Sequence, residues 1–387
     1  MHLFFQSLVR HFSWWAASLW PGRHEGAPLG GRRLLFLLLF YPAFLAFQCL
    51  HWLGFGCDEL FFPSYRKVSV EAPVFILGVP RSGTTFLHRT LAEDRKRFTS
   101  FSTWEAMLAP SISERKLVGL LKAIDRTIGA PVYKLIQSRL RSASADFERI
   151  HQVGLSAAEE DYLSLLPAGG CFILLLAFPF SPQLRQLGRL DEMPKAQRQR
   201  LLDFYKRALQ RHLYDHPGKR LLSKNAAFAT WAGALHAIFP DAKFLLCIRE
   251  PGSALSSQLS SLAPARAFFG SDPDGSHTAD SFTELYGHFY ARLEDFLANT
   301  SPGQAALIEQ SDLKAAPAAT ITAALEQLGI EKSRDIDHTL AALTPGQASA
   351  HRHGLDTFSL DPGEIQDRMS PPYEAMLRSP NRIRNPE

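Results

Sequence analysis

The hydrophobic pattern divides the chain into two regimes. From Leu34 to Gly56 (LLFLLLFYPAFLAFQCLHWLGFG) there is no charged residue, and as a helix the run is long enough to cross a hydrocarbon core of about 30 Å. Pro42, Gln48, His51, Gly54 and Gly56 interrupt it. Phe4, Phe5, Phe12, Trp14, Trp15 and Trp20 crowd in front of it, with Arg10, Arg23, Arg32 and Arg33 among and after them. From Pro73 onward short apolar runs alternate with amphipathic stretches. Val74 to Val79 (VFILGV) has the branched, wholly apolar character of a buried parallel strand, and Phe86 to Ala92 continues as a helix. Arg220 to Ser223, Lys243 to Ile248 and Ala305 to Ile308 are further strands, and Phe228 to Phe239 and Phe282 to Leu297 are helices between them. That order predicts an α/β fold, a parallel sheet flanked by helices, with a large and mostly helical insertion over about 95–216 after the first strand. Residues 1–66 form an N-terminal hydrophobic anchor region, and 67–387 the globular domain.

Composition narrows the class. In a chain of 387 residues, 46% hydrophobic and 21% charged content excludes a disordered protein and a multi-span membrane protein. A net charge of +4 is too small an excess to point to nucleic acid, so any anion site must come from local placement. Cys49, Cys57, Cys171 and Cys247 form no CxxC pair and no zinc-type spacing with histidine, which argues against a disulfide framework or a structural metal and for a reducing compartment.

The chemistry concentrates in two places. Gly78-Val79-Pro80-Arg81-Ser82-Gly83-Thr84-Thr85 lies between a strand and a helix, where backbone N–H groups and the helix N-terminus turn toward one point and cradle an anion. The sheet is therefore P-loop-like, yet the lysine a nucleotide triphosphatase needs after Gly83 is Thr84. The neighbouring strand KFLLCI ends in Arg249 rather than in an acidic magnesium ligand. Arg249, followed eight residues later by Ser257 on the next helix, is a second anion-binding pair. Two separate anion sites, with threonine and arginine where the metal-dependent enzymes have lysine and acid, call for a ligand carrying two anionic groups bound without a metal.

These motifs resemble the sulfotransferase family, which uses 3′-phosphoadenosine 5′-phosphosulfate (PAPS). FILGVPRSGTTFLHRTLAED is similar to the family's 5′-phosphosulfate loop and CIREPGSALSSQ to its 3′-phosphate motif; LLSKNAAFATWAGALHAIFPDAKFLLCIRE resembles the preceding segment of protein-tyrosine sulfotransferases and their bacterial relatives. The resemblance runs from about Pro73 to Ser260, with a weaker tail at His351 to Leu355. It implies that Arg81, Ser82, Gly83, Thr84 and Thr85 hold the phosphosulfate, that Arg249 and Ser257 hold the 3′-phosphate, and that Lys224 contacts the transferring oxygens. It also implies PAPS as co-substrate, no metal, and a hydroxyl acceptor.

Transfer to a hydroxyl needs a base. Glu105, in Ser-Thr-Trp-Glu, stands near where tyrosine sulfotransferases carry a catalytic glutamate. Glu159, Glu160 and Asp161 after Ser156 form a rival cluster, which also reads as the charged first turn of a helix. His88 and His151 are lesser candidates. Cys171 to Phe180 (CFILLLAFPF) reads as an acceptor-pocket wall or as core. A P-loop kinase and a catalytically inactive membrane-bound protein are the alternatives from other classes.

For the N-terminus the expectation is a monotopic anchor. An aromatic helix lies in the interface, the run from Leu34 dips in and returns near Pro42 or Gly54, and the active site faces the cytoplasm. The alternatives are a single span, which by the positive-inside rule sends the domain into a Golgi lumen, and a helical pair buried in the soluble fold.

Overall fold

The computed structural model describes residues 2–20, 26–131, 157–346, 358 and 360–384. His151, Ser156 and the segment from His351 to Leu355 lie outside these residues. Five parallel strands form one sheet in the order β2-β3-β1-β4-β5, with β1 at Val74–Gly78, β2 at Phe98–Thr99, β3 at Arg220–Lys224, β4 at Lys243–Ile248 and β5 at Ala305–Glu309. Helices cover both faces, which is why the central strands β1 and β4 are almost wholly apolar rather than alternating. Successive side chains still point to opposite sides. Phe75, Leu77, Phe244, Leu246 and Leu307 enter one core with the helices Lys195–Tyr214, Pro251–Phe269 and Ser276–Ala298. Val74, Ile76, Leu245, Cys247 and Ile308 enter the other, against the helices Thr84–Ala92 and Pro317–Gln327.

The four expected strands stand where their sequence places them, to within one residue at their carboxyl ends. The expected insertion is less uniform than its pattern: the chain returns to the sheet at β2, whose Phe98 and Thr99 pair with Arg220 and Leu221. A strand of two residues carries no periodicity that a sequence pattern can register. The apolar stretch from Cys171 belongs to the core, since the Phe178 ring packs 4.9 Å from Tyr41 and 5.9 Å from Trp14, centroid to centroid.

The N-terminal region departs from its expected course. Gly31–Phe61 is one continuous helix of 31 residues, and it does not return at Pro42 or Gly54. A π-helical turn at Phe36–Phe40 precedes Pro42 and widens the backbone where proline lacks an N–H and crowds the preceding turn. Gly54 marks a close approach: a Cβ there would lie 2.4 Å from the Ser111 hydroxyl, which caps the helix Ile112–Thr127. The long helix is docked on the body along its length. Arg33 donates to the carbonyls of Ala177 at 3.0 Å and Phe269 at 3.3 Å. Trp52 donates to the Pro167 carbonyl at 2.9 Å, and Asp58 accepts from the Ile112 and Ser113 amides at 3.0 and 2.8 Å and pairs with Arg211 at 2.9 Å.

Gly78 of β1 pairs with Cys247 of β4. A Cβ on Gly78 would lie 2.0 Å from the Cys247 carbonyl oxygen, and the residue has φ +151°. Gly78→Ala must therefore push two central strands apart. The expected loss is about 3 kcal/mol, a fall in Tm of roughly 5–10 °C. Thermal unfolding followed by circular dichroism checks it, and an unchanged Tm would show that the strands yield freely.

Candidate functional site

The crevice at the carboxyl ends of β1, β3 and β4 gathers the two sequence motifs. After Gly78 the chain turns through Pro80 and Arg81 to Gly83, and Arg81 and Gly83 both take positive φ, +70° and +95°. Glycine adopts that conformation freely and arginine at a cost, a local strain that the surrounding contacts must hold. They do so from three elements. The Pro80 carbonyl accepts from the Tyr286 hydroxyl at 3.2 Å, while the Arg81 carbonyl accepts from Arg249 Nη1 at 3.3 Å and from Gln310 Nε2 at 2.8 Å. Ser82 is fully buried and donates back to the Val79 carbonyl at 2.6 Å. Gly83 then caps the helix Thr84–Ala92, whose first turn leaves Thr84 buried and Thr85 exposed and its free amides facing the loop.

The second motif lies against the first. Arg249 directly follows β4, and Glu250 spends its carboxylate on the next helix, accepting from the Gly252 and Ser253 amides at 2.8 and 2.7 Å. Arg81 Nε donates to Ser257 Oγ at 3.1 Å. Arg81, Arg249 and Ser257 thus meet at one place, and among the described residues neither arginine forms an ion pair. Burial and then the nearby Arg81 charge hold the Arg249 guanidinium below its ordinary range. Glu250 offsets this only in part, and two adjacent cations outside any ion pair among the described residues favour an anion.

Lys224 ends β3 beside Ile76 of β1. It is 4% exposed, and its ammonium donates to Glu160. Burial pushes the Glu160 carboxyl up, Lys224 pulls it partly back, and the neighbouring Glu159 raises it again. Asp161, next along, is sealed in: Asn225 and the Tyr205 hydroxyl donate to it, the latter at 2.9 Å, and burial pushes it up to about 6. The acidic cluster precedes and starts a short 3-10 helix, Asp161–Ala168, with Glu160 at its N-cap; Ser156, the expected cap, lies outside the described residues.

Glu105 has other neighbours. It is 4% exposed, receives a hydrogen bond from His212 Nδ1 at 2.7 Å and pairs with Arg115 at 3.3 Å. Arg115 in turn binds Asp215 at 2.7 Å, and His212 Nε2 bonds Thr99 Oγ1 of β2 at 2.9 Å. Burial alone would raise the Glu105 carboxyl, but His212 and Arg115 outweigh it and leave it below the usual carboxylate range. His88 bonds Ser100 at 3.0 Å, and burial followed by the Lys224 charge presses it down to about 3. It stays neutral at any working pH. Tyr286, Gln310 and Asn225 are the residues that sequence reasoning missed. Asn225 adjoins Lys224 in the chain; the other two act through loop carbonyls and carry no sequence signal.

Removing one partner of a buried charge network strands the others, so Glu105→Gln is expected to lose about 3–5 kcal/mol of stability by urea unfolding at neutral pH. The folded carboxyl is depressed, so its stabilising share is complete above the unfolded value of about 4.3 and is lost as pH falls through the folded value. The variant should therefore show a flatter acid limb of stability. A variant as stable as wild type would return Glu105 to the list of bases.

A profile of the sulfotransferase family matches residues 73–334, a span that includes every residue of the crevice. Two solved structures share the fold. Sulfotransferase STF1 from Mycobacterium tuberculosis H37Rv is 18% identical over 94% of this chain and 92% of its own, with a TM-score of 0.66. Sulfotransferase STF9 from Mycobacterium avium is 15% identical over 97% and 95%, with a TM-score of 0.67. A comparison with curated proteins yields no match. With the profile covering most of the chain and the fold shared nearly end to end, this protein belongs to the sulfotransferase family.

Proposed function

We propose that the protein transfers a sulfuryl group from PAPS to the hydroxyl of an amphiphilic or lipid alcohol, without a metal ion, at the cytoplasmic face of a membrane. The observation that carries the donor assignment is the meeting of Arg81, Arg249 and Ser257, with neither arginine in an ion pair among the described residues. The crevice fits the donor: Arg81 and the amides from Ser82 to Thr85 would hold the 5′-phosphosulfate, and Arg249 with Ser257 the 3′-phosphate. When bound, the donor supplies an activated sulfuryl group and a leaving phosphate. The work usually given to a P-loop lysine and a magnesium ligand falls here to Arg81 and Arg249, because Thr84 and Arg249 occupy the positions where those groups would stand.

Glu160 is the base in this reading. Its raised carboxyl is closer to neutrality than that of Glu105, and it already touches Lys224. When the carboxylate takes the acceptor's proton it gives up its hold on the ammonium, and Lys224 is then free to stabilise charge on the oxygens of the departing group. Glu105 anchors the edge of the sheet through His212 and Arg115.

Isothermal titration with adenosine 3′,5′-bisphosphate tests the donor site. Wild type should bind, and Arg249→Ala should weaken binding about 10–100-fold, the worth of a charge-assisted contact of roughly 1.5–3 kcal/mol. An absence of binding to wild type would favour an inactive relative. Glu160→Gln should keep that binding and lose about 10²–10⁴ in kcat. In wild type the acid limb of kcat/KM should lie above the ordinary glutamate value of about 4.3 and vanish in the variant. Wild-type turnover in Glu160→Gln would remove it from the mechanism.

The long helix supports membrane association without a span, since it docks on the body from Arg33 to Asp58. Protease added to sealed vesicles should cut the catalytic body only from the cytoplasmic side. Cleavage only from the opposite side would establish a spanning topology.

A further inference from the structure

The helix Gly31–Phe61 is amphipathic in reverse. Arg33, Tyr41, Gln48, His51 and Asp58 are buried against the body, while Leu35, Leu39, Leu50, Leu53 and Leu60 are 54%, 59%, 56%, 66% and 72% exposed. A water-facing helix places its charges outward, and an apolar stripe of this length is unfavourable against water alone. On one flank of the stripe a groove of about 490 Å³ runs between this helix, Phe4 of the first helix (His2–Ser18) and Phe204 of the helix Lys195–Tyr214. Trp52 and Phe55 form its wall. Cys49 and Leu53 belong to both the groove and the outward stripe, so the groove opens sideways onto the surface that contacts lipid in the membrane-associated reading.

The rim of this apolar groove is cationic. Arg207 is exposed and has no carboxylate partner among the described residues. Arg211 below it is already neutralised, by Asp58 at 2.9 Å and Glu59 at 3.2 Å, and lies over the Phe55 ring at 4.7 Å. Arg66 pairs with Glu59 at 2.5 Å. The surplus positive charge is therefore that of Arg207.

Two turns back on the same helix face, Arg200 shares a small second cavity with Arg10 of the first helix. Gln6, Gln183, Gln186 and Gln197 line it, and no carboxylate does. Burial and then the Arg200 charge lower the Arg10 guanidinium. Leu3 lines this cavity and Phe4 the groove, so both belong to one seam between the N-terminal helices and the helix Lys195–Tyr214.

We infer that this seam is a binding site for an anionic phospholipid of the bilayer, its acyl chain in the groove between Trp52, Phe55 and Phe204 and its headgroup phosphate on Arg207, with Arg10 and Arg200 as a second cationic contact to the anionic headgroups of the same leaflet. The site rests on the membrane-associated reading above. Charge complementarity selects an anion, and the apolar walls beside the arginine select an amphiphile over a free ion. A groove of this volume is the size of a small-molecule site.

The test uses the full chain with vesicles of phosphatidylcholine, with or without phosphatidylglycerol, and compares wild type with Arg207→Glu and with Arg10→Gln/Arg200→Gln. Wild type should sediment with phosphatidylglycerol-containing vesicles roughly tenfold or more tightly than with phosphatidylcholine alone, at about fivefold per arginine engaged. Both variants should lose that preference and keep their affinity for adenosine 3′,5′-bisphosphate. Lipids brominated on the acyl chain should quench a share of tryptophan fluorescence that disappears in Trp52→Phe. Equal binding of wild type and variants to both vesicle types would overturn the lipid site and leave the membrane reading standing. Phosphatidylglycerol-dependent binding with no quenching of Trp52 would mean surface adsorption alone and also overturn it. No binding to either vesicle, with nucleotide binding intact, would overturn the membrane reading and the site together and leave the sulfuryl-transfer reading untouched.

Discussion

The backbone of β1 lies so close to β4 at Gly78 that a side chain there would meet the Cys247 carbonyl oxygen at 2.0 Å. That approach brings the loop after β1 and the end of β4 to one crevice. It places Arg81 and Arg249, two like charges, side by side, where bulk repulsion alone would separate them. The fold overcomes the repulsion through backbone: Arg249 and Gln310 both hold the Arg81 carbonyl, and Tyr286 holds Pro80. The positive φ of Arg81 is a cost of the same arrangement, sustained because three elements fix the carbonyls on either side of it. An anion bound there relieves both the repulsion and the missing partners, which is the condition for tight binding without prior reorganisation.

The buried acids are arranged in the opposite way. Glu105 has His212 and Arg115, Arg115 has Asp215, Asp58 has Arg211 and the cap of the helix Ile112–Thr127, and Glu114 has His51 at 2.6 Å. Such pairs contribute little net stability compared with an apolar core, but each is expensive to break. Their effect is to fix how the N-terminal helix, the insertion and the β2 edge meet. Only Glu160 among these acids is bonded to the lysine at the mouth of the sheet.

The sheet was legible because a strand buried on both faces is an unbroken apolar run, as in Val74–Gly78 and Lys243–Ile248. The anion loop was legible because its chemistry is local: glycines, a hydroxyl and an arginine within eight residues. What escaped depends on distant neighbours. Glu105 and Glu160 look equivalent in the chain, and their difference comes from His212, 107 positions from one, and Lys224, 64 positions from the other. β2 is too short to show a period. Pro42 and Gly54 read as breaks because proline and glycine usually are, whereas here a π turn absorbs the first and the Ser111 cap requires the second.

The reversed polarity of the long helix follows from the same pairing logic. Polar groups at Arg33, Gln48, His51 and Asp58 along an otherwise apolar segment would be costly in lipid and unremarkable in water. Packed inward, they satisfy carbonyls and carboxylates of the body, and the leucines between them are left facing out. The helix is thereby committed to the body on one side and has a mostly apolar surface on the other. A segment so divided cannot leave the domain to cross a bilayer without stranding Asp58 and Arg211, and it cannot face water without exposing its leucines. In the membrane-associated reading proposed above, the interface between the two satisfies both sides.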